Sequence, residues 1–148
     1  MPKVTKVPAP VRQQSGVLPY KRSKQIKVCL VKQSNGKYWG IPKGGVENGL
    51  TDKVSAMKEA LEEAGLQGRI VGKNIGKFSY IKRGMVQHVK VFLMLVDVAH
   101  DLYPESHFRK RKWFTLEEAR SKIDPMQLHL LDALDPHVDT LPKSGSKL

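Results

Sequence analysis

Gly44-Gly45-Val46-Glu47-Asn48-Gly49 and, a little further on, Lys58-Glu59-Ala60-Leu61-Glu62-Glu63-Ala64-Gly65-Leu66 frame the most informative segment of this 148-residue chain. Between them, Thr51 to Ala64 has the pattern of a helix. Thr51 is a good N-cap, Asp52 complements the positive end of the helix, and Gly65 suits the C-terminal cap. At about 100° per residue, Val54, Met57, Leu61 and Ala64 make an apolar stripe expected to pack on a sheet. Glu59, Glu62 and Glu63 fall on the opposite side, at spacings where helical side chains are neighbours. Like charges this close repel unless a cation compensates them. Oxygen-only donors suit a hard divalent ion, chiefly Mg²⁺ or else Mn²⁺. A solvated acidic face is the plainer reading of the same residues, and the helix alone does not choose. Just ahead of it, Pro42-Lys43-Gly44-Gly45 reads as a loop whose glycines let a ligand come close to the backbone.

The charge around this segment is uneven. The chain carries a net charge of +12. Residues 1–46 hold ten Lys or Arg and no acid, and residues 64–96 hold six more, again without an acid. Glu47, Asp52, Glu59, Glu62 and Glu63 form an acidic island between these blocks. Such a layout would draw in a polyanion through its cations and hold metal at its acids. A nucleic-acid-binding protein with one acidic helix fits the charge equally well. The apolar content of 40% is that of a folded protein. No apolar run approaches the roughly 18 residues of a membrane helix, so a cytoplasmic protein with no membrane contact is expected. Cys29 lies in an apolar run and reads as core filling.

Outward from the helix, strands are expected at Gln25–Gln33, Tyr38–Ile41, Ile70–Val71, Gly76–Arg83, Gln87–Val98 and Lys112–Phe114. A turn is expected at Ser34-Asn35-Gly36. Short helices are expected at Leu116–Ile123, behind Thr115, and at Met126–Leu134. One domain over 16–135, with mobile tails at 1–15 and 136–148, accounts for the whole chain. Its mixed elements point to an α/β layered fold.

The 44–66 segment resembles the Nudix box: Gly, five residues, Glu, seven residues, then Arg-Glu-aliphatic-x-Glu-Glu-x-Gly-aliphatic. Gly44, Glu59, Glu62, Glu63, Gly65 and Leu66 match it in register. Leu50 stands where the box has Glu, Lys58 where it has Arg, and Ala60 where it has a larger aliphatic residue. In the family the first two commonly pair and brace the loop on the helix. With Leu50 in place that brace is expected to be lost. The resemblance runs over about residues 12–134. Arg12 to Tyr20, Trp39 to Gly44 and Lys112 to Ala119 look like the diphosphoinositol polyphosphate phosphohydrolase-like branch.

This resemblance implies an α/β/α sandwich around a mixed β-sheet. It also implies metal-dependent hydrolysis of a phosphoanhydride bond by water attack on phosphorus. Glu59, Glu63 and the Gly44 carbonyl would be metal ligands, with Glu62 as general base or a further ligand. Lys43, Arg12, Arg22 and His88 are the candidate substrate contacts, with Lys21 and a distant acid, Glu105, behind them. Trp39 and Trp113 read as core packing. The expected substrate is a highly anionic diphosphate, a diphosphoinositol polyphosphate or dinucleoside polyphosphate. The 5′ end of RNA is the alternative substrate. A non-catalytic polyanion-binding module is a further reading, motivated by Leu50 and Lys58.

Overall fold

The computed structural model describes residues 10–34 and 36–145. Its strands are β1 (Val11–Arg22), β2 (Ile26–Lys32), β3 (Trp39–Gly40), β4 (Lys43–Gly45), β5 (Leu66–Lys82), β6 (Met85–Ala99) and β7 (Arg111–Thr115). The helices are α1 (Asp52–Ala64), α2 (Leu116–Lys122) and α3 (Leu128–Leu134), with 3-10 turns at Pro125–Gln127 and Asp135–Thr140. All seven strands belong to one mixed sheet. β1 runs parallel to β6 from Val11 opposite Val86 to Tyr20 opposite Leu95. Its other edge takes β4 at Gln14–Gly16 and β2 at Tyr20–Arg22, both antiparallel.

Alternation along the central strands divides the core into two layers. Leu18, Val28, Leu30, Val91, Leu93 and Leu95 face α2 and α3, where Leu130, Leu131 and Leu134 close over them. Val17, Cys29, Val31, Phe92, Met94 and Val96 face α1. The run Val91–Val96 is apolar throughout because both of its faces are covered. The α/β/α sandwich follows directly. Cys29 is fully buried, and burial pushes its thiol up to about 12, so it serves as packing.

Several expectations change. β1 begins at Val11, inside the segment expected to be a tail, because Gln14 and Ser15 are buried between β4 and β6 despite their polarity. At the other end Leu141 is buried, and Tyr20 Oη donates to the Pro142 carbonyl at 3.1 Å, tying residues beyond 136 to β1. Residues 1–9 and 146–148, and Asn35 of the expected turn, lie outside the described residues. The Lys43–Gly45 loop is a short strand. β5 is one strand where two were expected, because bulges near Gly68 and between Val71 and Gly76 interrupt its alternation. The last helix opens as a 3-10 turn from Pro125, and α3 starts at Leu128.

α1 carries the predicted caps. Thr51 Oγ1 accepts from the Val54 N–H at 3.2 Å, and Gly65 adopts φ 67°. Its packing face is rotated from the expected stripe. Ser55, Ala56, Ala60 and Ala64 are buried, while Val54 is 47% exposed. Small side chains let the helix backbone lie close to the sheet, and that close approach decides the face.

Candidate active site

The rotation of α1 separates its three glutamates. Glu59 and Glu63, one turn apart, turn into a cavity of about 590 Å³ that also takes in Lys43, Gly44, Gly45, Arg12 and Arg109. Glu62 is not among the lining residues; its carboxylate lies 3.7 Å from the Lys58 ammonium, toward solvent. The sequence placed all three acids on one side, and the alanine face of α1 is the reason they part.

Each cavity carboxylate is held from the β4 side. The Lys43 N–H donates to Glu63 Oε2 at 3.1 Å. Glu59 lies against Gly44 so closely that a Cβ at residue 44 would come 2.2 Å from its carboxyl carbon. A Cβ at residue 45 would come equally close to an Arg12 nitrogen, at 2.2 Å. A side chain at either place would push the Glu59 carboxylate or the Arg12 guanidinium out of its position. Burial raises the Glu63 pKa to about 8, against the lowering effects of Arg109 and of the Lys43 N–H. Glu59 is raised too, first by burial and then by Glu62 and Glu105.

Cations and a polar network make the opposite wall. Lys43 Nζ donates to Tyr80 Oη at 3.1 Å, and Tyr80 Oη donates to Gln14 Oε1 at 3.2 Å. Gln14 Nε2 in turn donates to Gln87 Oε1 at 2.8 Å within the core. This chain fixes the Lys43 side chain beside the carboxylates. Arg109 donates to Glu105 Oε1 at 2.7 Å and so places Glu105 near the acids without lining the cavity. Lys82, Asp124 and Gln127 complete the rim. Sequence reading missed Arg109, because it lies in a run of basic residues with nothing to single it out. Tyr80 and Gln14 were missed because their partners are distant in the chain.

Two predicted contacts are elsewhere. Arg22 donates to the Leu141 carbonyl at 2.6 Å, occupied by the C-terminal segment. His88 is exposed, with Nδ1 2.6 Å from Ser79 Oγ, and does not line the cavity. Lys21 sits 4.2 Å over the Trp113 ring, and Trp39 packs edge-on to Phe114 at 5.3 Å.

The loop brace expected to be lost is present in another form. Lys58 makes an ion pair with Glu47, three residues before Leu50, and the Glu47 N–H donates to Ser55 Oγ at 3.2 Å. Glu47 reaches Lys58 because the 46–50 turn folds back on the first turns of α1, where Leu50 N–H donates to the Glu47 carbonyl at 3.1 Å.

Among the described residues, no three His, Cys, Asp or Glu side chains converge on one metal position. Two carboxylates do meet the β4 backbone in the cavity, Glu59 at Gly44 and Glu63 at the Lys43 N–H. Oxygen-only donors of that kind, partly buried and raised in pKa, fit a hard divalent ion that would discharge them. Residues 11–134 match the NUDIX domain family. The chain belongs to that family.

Among Nudix relatives, the chain is 36% identical to the Arabidopsis thaliana protein "Nudix hydrolase 21, chloroplastic", over 73% of this chain and 58% of that one. It is 30% identical to the Rattus norvegicus protein "Diphosphoinositol polyphosphate phosphohydrolase 2", over 80% of this chain and 64% of that one. The chain thus spans under two thirds of the length of these curated relatives. Among solved structures, a C. elegans Ap4A hydrolase complex superposes with a TM-score of 0.72 at 21% identity, covering 88% of this chain and 99% of that one. That likeness supports the fold. Other relatives carry mitochondrial names. Among the described residues no helix is long and apolar enough to cross a membrane.

Proposed function

We propose that this Nudix chain hydrolyses a phosphoanhydride bond in a small, highly anionic diphosphate, of the diphosphoinositol polyphosphate or dinucleoside polyphosphate kind. One observation carries the reading: Glu59 and Glu63 share a cavity with Arg12, Lys43 and Arg109. Acids alone would repel such a substrate, and cations alone would bind it without acting on it. Glu59 and the Gly44 carbonyl, with Glu63 beside them, face the place where Mg²⁺ or Mn²⁺ would sit; the ion when bound neutralises phosphate charge and lowers the pKa of water. Arg12 offers a planar fork for a phosphate, and Lys43 a point charge whose direction Tyr80 sets. Arg109 can exchange Glu105 for a phosphate oxygen, gaining a charged partner as it gives one up.

Proton transfer is assigned differently from the sequence reading. Glu62 is paired with Lys58 outside the cavity, so the role of proton acceptor passes to Glu63. Glu63 faces the cavity and is held there by the Lys43 N–H, which suits that role. The non-catalytic reading loses its motive, because Glu47 supplies the brace that Leu50 lacks. The cytoplasm is the compartment proposed for this reaction.

The test is product release from dinucleoside polyphosphates, diphosphoinositol polyphosphates, nucleoside triphosphates and 5′-triphosphate RNA, with Mg²⁺ or Mn²⁺. Wild type is compared with Glu63→Gln and Glu62→Gln. Metal-dependent turnover lost in Glu63→Gln and kept in Glu62→Gln is expected. Absence of turnover on every substrate would sink the enzyme reading, and the reverse mutant pattern would return the proton to Glu62.

A further inference from the structure

A second cavity, of about 520 Å³, adjoins the first and shares Arg109 with it. Its walls come from Trp39 and from the segment 103–112. The stretch His107-Phe108-Arg109-Lys110-Arg111-Lys112 alternates little and contains no acid. Two of its four cations are held by neighbouring groups. Arg109 is bonded to Glu105, and Arg111 donates to the Ala64 carbonyl at the end of α1 while lying over the Tyr103 ring. The other two, Lys110 and Lys112, are exposed on the surface, Lys112 with its ammonium 5.5 Å from the Phe114 ring.

Phe108 stands among them 63% exposed, with the Arg109 guanidinium 5.9 Å from its ring. The His107 ring meets Phe108 edge-on at 4.7 Å, and most of the phenyl surface still stays open beside the lysines. Exposed aromatic rings interleaved with lysines are the means by which proteins hold single-stranded nucleic acid. Bases stack on the rings while cations follow the phosphates. A free phosphate would use the cations and leave the ring idle. A duplex keeps its bases stacked inside and offers the ring nothing.

We propose that the Trp39–Phe108–Lys110–Lys112 cavity binds single-stranded nucleic acid, with a base on Phe108 and the adjoining phosphates on Lys110 and Lys112. Arg109 lines both this cavity and the carboxylate cavity. The proposal does not depend on the hydrolytic reading, since binding is measured without metal and without turnover.

The experiment is fluorescence anisotropy with a labelled single-stranded oligouridylate of 12 nucleotides, on the full chain, over a salt series. Phe108→Ala is expected to weaken binding at least about fivefold, the loss of one base stack. Lys110→Ala with Lys112→Ala is expected to flatten the salt dependence by about 1.4 in log–log slope, roughly 0.7 for each phosphate contact. Thermal melts confirm that the variants are folded. Affinity unchanged in both variants overturns the proposal. So does equal binding of a duplex of the same length, or equal competition by polyglutamate, since either would mean a general anion surface without an aromatic track.

Discussion

The two walls of the carboxylate cavity are built in opposite ways. The acidic wall is one turn of α1, capped by Thr51 and Gly65 and seated on alanines. Its glutamates differ in environment only because of where the helix rests. The basic wall is gathered from β1, β4, β5 and the segment after Tyr103, supplying Arg12, Lys43, Lys82 and Arg109. No two of those cations are near in sequence. A local wall fixes its groups through helix geometry, whereas a gathered wall fixes them through the whole sheet. Chemistry that tolerates no displacement therefore belongs on the first, and adaptable phosphate contacts on the second.

The sharpest way to break this contrast is at Glu63. Glu63→Gln should lower kcat by ~10²- to 10⁴-fold, the range of a lost general base. A loss no greater than that from a single basic-wall variant would erase the distinction. Arg109→Ala comes next. Losing one charge-assisted contact should cost about 10- to 100-fold in kcat/KM. Because Arg109 lowers the Glu63 pKa, its removal should also shift the acidic limb of the profile, where Glu63 must lose its proton to act as base, to higher pH. An unshifted profile would separate Arg109 from that carboxyl.

Stability against pH probes the acidic wall without substrate. Burial raises Glu63 from 4.5 to about 8, so the folded state holds its proton more tightly than the unfolded chain. Stability of the metal-free protein then falls as pH rises from about 4.5 to about 8, on the order of a few kcal/mol in all. Glu63→Gln should flatten that decline, read as Tm at pH 5 and pH 8.5. Parallel curves for the two proteins would remove the buried carboxyl as its cause. The smallest effect is expected for Glu47→Ala. Its pair with Lys58 is exposed, so kcat should change within about threefold and Tm hardly at all. A collapse of activity would show that the brace controls the acids more than their burial does.

The same contrast governs what could be read from residue order. α1, its caps and its acids were legible because capping and helical periodicity act over a few residues. Which acid would face inward was not legible. Ala56, Ala60 and Ala64 carry little hydrophobic signal, yet they set the helix by allowing close contact. β1 was half hidden for a related reason. Gln13-Gln14-Ser15-Gly16 lacks an apolar alternation, and the partner of its buried Gln14 is Gln87, far along the chain. Arg22 looked as available as Arg12 until Leu141 covered it. Glu47 was overlooked as a brace because the expected partner position, residue 50, is apolar.

The parallel pairing of β1 with β6 also sets an order of events during synthesis. Residue 11 lies opposite residue 86 and residue 20 opposite residue 95, so β1 has no lasting neighbour on that edge until β6 has left the ribosome. Contacts this distant in sequence slow folding, since a long loop must close before they form. The hairpin of β5 and β6 can form by itself as soon as it emerges. β1, made before the other strands of the sheet, is thereby held on this edge only after β6 exists, and the parallel pairing that frames Arg12 and Gln14 comes with it.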